Sequence, residues 1–122
     1  FIDVELVDDG DRRLLKSEGV EIELEDRLKH RFDSLAQRRV VLGVRPQSLY
    51  AAADDKQALI LGTVETVEPY GPETYIRLAL GGQQISSRLE ATDNPVKGEV
   101  FALAATADSF YFFDPHTGSA IY

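Results

Sequence analysis

Thr74-Tyr75-Ile76-Arg77-Leu78-Ala79-Leu80-Gly81-Gly82-Gln83-Gln84-Ile85-Ser86-Ser87-Arg88-Leu89 reads as a β-hairpin. Thr74, Ile76, Leu78 and Leu80 fall on one face and Tyr75, Arg77 and Ala79 on the other, the two-residue period of a strand. Gly81-Gly82 supplies a two-residue turn, because glycine tolerates the positive φ that such turns demand. Residues 83–89 then return antiparallel.

The same reading extends outward in both directions. Residues 58–67 predict a strand before a turn at Glu68-Pro69-Tyr70-Gly71-Pro72. Val40-Val41-Leu42-Gly43-Val44 is a continuous apolar run, which suggests burial on both faces. Pro46 has no N–H for a ladder and biases Arg45 away from helix, so that strand must end there. Gly43 inside it suggests a bulge or a close approach. Residues 51–57 read as a surface loop. Nearer the start, Ile2, Val4 and Leu6 alternate with Asp3 and Glu5, and after a turn at 8–11, Val20, Ile22 and Leu24 alternate with Glu21 and Glu23. These two runs predict an antiparallel pair with its acidic side in water. Leu24, Leu28, Phe32, Leu35 and Ala36 recur at helical spacing, which predicts a helix over residues 25–39 with acids at its start and arginines at its end.

Downstream, Asp93-Asn94-Pro95 and Lys97-Gly98 form a break before a strand at 99–106. A last hairpin joins 110–113 to 119–122 around Asp114-Pro115-His116-Thr117-Gly118, where Thr117-Gly118 supplies a tight turn. The total is eight or nine short strands and one helix. Turns every eight to twelve residues make this an all-β chain, a small barrel or sandwich.

The 122 residues are 43% hydrophobic and 28% charged, which fits one domain over 1–122. No cysteine is present, so disulfides, thiolate nucleophiles and cysteine metal sites are excluded. The net charge is −8, and both the first forty residues (11 acidic, 8 basic) and the remainder (10 and 5) are acidic. Binding a nucleic-acid polyanion calls for a basic face, so no nucleic-acid partner is expected. No apolar run approaches the roughly 20 residues of a membrane span. The start at Phe1 and the absence of methionine suggest a piece of a longer protein.

Catalytic constellations are absent from the sequence. No stretch fits G-x-x-x-x-G-K-[ST] or G-x-S-x-G. His30 and His116 are 86 residues apart, with no local partner for a zinc site or general base. Glu65, Glu68 and Glu73 could supply paired carboxylates, but acids are abundant here and no enzyme is expected. The aromatic run Phe110-Tyr111-Phe112-Phe113 is flanked by Asp108 and Asp114, which repel phosphate; two rings in a core and two at an interface fit better.

Four segments in order carry a resemblance. Val41-Leu42-Gly43-Val44-Arg45-Pro46-Gln47 resembles the G-[IV]-R-P-E signature of the ATP-binding subunits of ABC-type sugar importers. Val67-Glu68-Pro69-Tyr70-Gly71-Pro72-Glu73-Thr74 resembles their v-E-x-l-G-x-E-t turn. Phe112-Phe113-Asp114-Pro115-His116-Thr117-Gly118 resembles their closing h-l-F-D-x-x-T-G, and Phe1-Ile2 their opening N-F-[LI]. The resemblance covers nearly the whole chain. It implies a TOBE domain, an OB-type barrel carried behind the nucleotide-binding domain, with ATP and Mg handled in that upstream ATPase domain and no cofactor in this fragment. By the same resemblance the domain is regulatory. It pairs with a second copy, contacts the membrane permease subunits indirectly, can receive a regulatory protein, and works at the cytoplasmic face of the membrane. Gly43, Arg45, Pro46, Gln47, Glu73, Phe113, Asp114 and Gly118 are the motif and candidate interface residues. Gln47 departs from the pattern, which has Glu, and puts any contact of that carboxylate in doubt. The alternative is a module binding an oxyanion or sugar, for which Gly81-Gly82 and Lys97-Gly98 are the candidate anion cradles.

Overall fold

In the computed structural model, which describes residues 1–33, 38–53, 58–90, 93–106 and 109–121, period-two patterning becomes ten strands. They are β1 (Ile2–Asp9), β2 (Arg12–Ser17), β3 (Val20–Glu23), β4 (Arg39–Val44), β5 (Tyr50–Ala51), β6 (Ile60–Tyr70), β7 (Glu73–Leu80), β8 (Gln83–Glu90), β9 (Val100–Ala104) and β10 (Phe110–Phe113). All pairings are antiparallel. The hydrogen-bonded order is β10-β4-β1-β2-β3-β6-β7-β8, with β9 branching from β6 and carrying β5. The ladder is open, ending at β8 and β10, but every strand except β5 sends side chains into one core. The expected barrel is therefore present as a sheet rolled around that core. Leu15, Leu42, Ile60, Leu78 and Leu103 are wholly buried in it; each such side chain contributes roughly 1.5–3 kcal/mol.

The β7–β8 hairpin has the register its sequence implies, with Thr74 opposite Leu89 and Leu80 opposite Gln83. Gly81 has φ +66°, the positive angle needed at the first turn position. β4 lies between β10 and β1, so Val40 and Leu42 are buried while Val41 and Val44 are half-covered. In the aromatic run Phe110 and Phe112 enter the core, and Tyr111 faces out. Asp108 lies outside the described residues, as does most of the 51–57 loop.

Four expectations change. The pair expected between β1 and β3 is mediated by β2, which pairs with both. Its Leu14 and Leu15 are both buried, so it has no clean alternation. The helix is much shorter than residues 25–39: α1 spans Asp26–Lys29 and continues as a 3-10 turn, His30–Phe32. Its stripe is real, since Leu24, Leu28 and Phe32 are buried, whereas Leu35 and Ala36 lie outside the described residues. Arg39 cannot be helical because it pairs with Glu5, and the Arg38 carbonyl accepts the Leu6 N–H at 2.6 Å. β6 runs on through Pro69 to Tyr70, leaving Gly71-Pro72 as the turn; β9 pairs with β6 only as far as Thr63, so among the described residues Pro69 sits at an open edge, where proline is tolerated. The final hairpin is only a bridge between Phe113 and Ala120, with Tyr122 outside the described residues.

α1 is held on the β1–β2 hairpin by Arg13. Its guanidinium donates to Asp8 Oδ1 at 2.8 Å, to the Lys29 carbonyl at 2.6 Å and to Asp33 Oδ1 at 2.6 Å. Arg38 donates to Asp8 Oδ2 at 2.8 Å.

Candidate functional site

The expected motif residues fall into three places. The first is the outer face of β1, β4 and β10. Gly43 stands opposite Tyr111, and a Cβ there would lie 3.1 Å from the Phe1 ring and 3.3 Å from the Phe113 ring. Those rings meet edge to face, 5.7 Å apart at 70°. Gly43 thus permits a close aromatic approach; the bulge lies instead in β6, between Val64 and Thr66. Arg45 is extended and carries its guanidinium carbon 5.8 Å from the Tyr111 ring centroid, within cation–π range. Phe1, Gly43, Arg45, Tyr111 and Phe113 therefore form one aromatic surface. Tyr111 is 46% exposed in it.

Pro46 opens the 3-10 turn Pro46–Ser48, ending β4 as its ring requires. The turn carries Gln47 to the second place, a groove of about 500 Å³ shared with Glu73, Tyr50, Arg88, Glu90 and Asp93. Gln47 and Glu73, 26 residues apart in sequence, are thus brought together. Glu73 faces Arg88 at 3.6 Å. The groove holds three carboxylates against one guanidinium, and the neutral Gln47 avoids adding a fourth.

The third place is the turn after β10. The Asp114 carboxylate accepts the His116 N–H at 2.8 Å, and its backbone pairs with Ser119 and Gly118. Asp114 and Gly118 fold residues 119–121 back along β10, which is a shaping role. His116 is exposed there. Among the described residues no three His, Cys, Asp or Glu side chains are grouped to hold a metal ion.

Neither candidate oxyanion cradle is open. At Gly81 the Glu18 carboxylate lies where a side chain would stand, placing negative charge on the turn. The Gly98 N–H is already spent on the Val64 carbonyl at 2.8 Å. Of the glutamates considered as a pair, Glu68 accepts the Tyr70 hydroxyl at 3.0 Å and Glu73 accepts the Tyr75 hydroxyl at 3.3 Å. The bond to Glu68 pushes the Tyr70 hydroxyl above its ordinary pKa, so it remains a donor.

The sequence reading missed the packing of Phe1 on Gly43 and the meeting of Tyr70 with Tyr75 across the Gly71-Pro72 turn. The second was legible in principle, since a two-residue turn places residues 70 and 73 opposite each other. Among the described residues, no helix is long and apolar enough to cross a membrane.

Comparison with known proteins adds three findings. The TOBE domain family model matches residues 42–113, well over half of the chain and bounded by the Gly43 and Phe113 motifs. The sn-glycerol-3-phosphate import ATP-binding protein UgpC of Chromobacterium violaceum is 33% identical over 110 residues, which are 90% of this chain and 28% of that protein. The sulfoquinovosyl glycerol transport ATP-binding protein SmoE of Agrobacterium fabrum is 26% identical over 113 residues, 93% of this chain and 31% of that protein. The chain thus spans less than a third of these relatives. Among solved structures, the cytoplasmic molybdate-binding protein ModG with molybdate bound superposes with a TM-score of 0.62, covering 93% of this chain and 94% of that one. At 16% identity the likeness is one of fold.

Proposed function

This chain belongs to the TOBE domain family, and we propose that it is the non-catalytic regulatory and pairing domain of the ATP-binding subunit of an ABC-type carbohydrate importer. The observation that carries the pairing role is the aromatic surface on β4 and β10, where Tyr111 stands exposed beside Arg45 and the Phe1–Phe113 contact. Tyrosine and arginine together on an exposed face are enriched at the centres of protein–protein contacts. A second copy offering the same surface about a two-fold axis would be self-complementary. ATP and Mg would be bound by an ATPase domain outside this sequence, since the chain has no phosphate-binding glycine loop. The permease subunits would be reached through that domain, on the cytoplasmic side of the membrane. The second groove, where Gln47 and Glu73 meet, is the place proposed for a regulatory protein; its surplus of carboxylates favours a basic contact.

Sedimentation equilibrium of the 122-residue chain tests the pairing. A small interface of this kind is expected to give a dissociation constant on the order of 10–100 µM. Tyr111→Asp, at an exposed position, should leave the fold intact and return the chain to monomer. A wild-type chain that stays monomeric to about 500 µM would refute the pairing role.

The oxyanion alternative loses support from the Glu18 carboxylate at Gly81 and the committed Gly98 N–H.

A further inference from the structure

The outer face of β6, β7 and β8 carries another groove, of about 580 Å³, which shares only Glu73 with the groove at Gln47. Cross-strand register sets its chemistry. Thr66, Arg77 and Ser86 form one row across the three strands. Glu68, Tyr75 and Arg88 form the next, and Tyr70 faces Glu73 beyond them. Directly opposed residues on antiparallel strands share a face, with Cβ atoms about 5 Å apart. One row therefore sets a guanidinium between two hydroxyls, and the next sets a phenol between a carboxylate and a second guanidinium.

The Tyr70 and Tyr75 rings lie 5.5 Å apart at 80°, so they make two walls of a corner. They are 61% and 38% exposed, and their hydroxyls donate to Glu68 and Glu73. Arg77 is exposed on the floor and pairs with no carboxylate among the described residues. A wall of two upright rings offers apolar area for C–H groups. The two carboxylates accept hydroxyl protons, and Arg77 donates to hydroxyl oxygens.

We propose that this groove binds the ring of a neutral pyranose sugar, its C–H face against Tyr75 and its neighbouring hydroxyls on Arg77, Glu68 and Glu73. The charge pattern selects against the other ligand classes. An anion would meet two carboxylates on a chain of net charge −8, and a small cation would leave the Tyr70 and Tyr75 rings uncovered and Arg77 unpaired. A purely apolar ligand would cover the unpaired Arg77 guanidinium without giving it a partner, which costs affinity. A groove of this volume falls within the 300–1,000 Å³ of small-ligand sites, with a few placed polar groups to fix orientation.

Titration of maltose and of glucose into the ¹⁵N-labelled chain, followed by amide NMR, tests this. Saturable shifts confined to β6, β7 and β8 are expected, with a dissociation constant on the order of 1 mM for so open a site. Glycerol, which lacks an apolar ring face, and inorganic phosphate should leave those signals in place. Tyr75→Ala should weaken binding at least tenfold, whereas Tyr75→Phe, which keeps the ring, should stay within about threefold. Tyr75 lies on the exposed face, and the same spectra verify that both variants are folded. No saturable shift with either sugar up to about 50 mM would overturn the proposal. So would shifts elsewhere on the surface, or a stronger response to phosphate. Sedimentation reads the pairing role separately, so failure of one proposal leaves the other standing.

Discussion

Gln83, the first residue of β8, takes the place of a strand beside Asp3 of β1. Its Oε1 accepts the Asp3 N–H at 2.6 Å and its Nε2 donates to the Asp3 carbonyl at 3.0 Å. β2 pairs with β1 only from Glu5 to Asp9, because it turns away into β3 after Ser17. One edge of Asp3 is therefore left open, and a primary amide reproduces both halves of the missing backbone pair. This contact joins β8 to β1, which are far apart in the hydrogen-bonded order, and so fastens the rolled sheet.

Gln83→Ala should accordingly cost about 1 kcal/mol, the net worth of such bonds near the surface where water replaces them. Gln83→Glu keeps the acceptor, loses the donor and sets a carboxylate against the Asp3 carbonyl, so it should be no better than alanine. Urea unfolding followed by circular dichroism measures both. Equal midpoints for the native chain and Gln83→Ala would mean that the fastening is energetically idle.

At Gly62, β6 leaves no room for a side chain against β7. A Cβ there would lie 2.8 Å from the Ala79 carbonyl oxygen and 2.9 Å from Leu78 Cβ, both fixed by the β6–β7 ladder. Gly62→Ala should cost about 2–3 kcal/mol by overpacking. At Gly43 the obstacles are two aromatic rings that can turn aside, so Gly43→Ala should cost less than about 1 kcal/mol. Thermal unfolding of the two variants distinguishes a backbone obstacle from a movable one.

Acid should loosen α1 before it unfolds the sheet. Asp8 is held below its ordinary pKa, first by its hydrogen bond from Arg13 and then by that from Arg38. A carboxylate whose folded pKa is depressed contributes stability that is present above its unfolded value and lost as pH falls through the folded one. The loss therefore falls below about pH 4, the ordinary range of aspartate. Asp8→Asn should be less stable than the native chain at pH 7, and the two should converge as pH approaches 2. Parallel stability curves down to pH 2 would show that the Asp8 pairing makes no net contribution.

Much of this architecture is legible in the sequence because much of it is local. The register of β7 on β8 follows from strict alternation and Gly81-Gly82, and the solvent face of β1 and β3 follows from Asp3, Glu5, Glu21 and Glu23. Elements decided by distant partners were not legible. Leu14 and Leu15 are consecutive and both buried, so β2 has no alternation to read. Helical spacing runs on into Leu35 and Ala36, but the pairing of Arg39 with Glu5 claims the end of that segment for the sheet. The candidate sites divide in the same way. Gly43, Arg45 and Phe113 share a surface because β4 and β10 are neighbours. Gln47 reaches Glu73 only through the 3-10 turn after Pro46, a closure that no spacing in the chain announces.

In a subunit of the proposed kind, the domain should act as a tether. Two ATPase domains that close on ATP must separate after hydrolysis. If the copies of this chain stay paired through the Tyr111 surface, reclosure becomes intramolecular, at an effective concentration on the order of millimolar. Removing residues 1–122 from the whole subunit, or introducing Tyr111→Asp, should then weaken ATP-dependent pairing while sparing the chemical step in a dimer already closed. The defect should be largest in dilute protein and shrink as concentration rises, because free protein replaces the lost tether. ATPase activity per subunit against subunit concentration, for intact, truncated and Tyr111→Asp forms, reads this directly. Convergence of the three curves at high concentration identifies a tether, and a constant ratio at all concentrations places the effect on the catalytic step instead. Superimposable curves would show that these domains do not hold the dimer together.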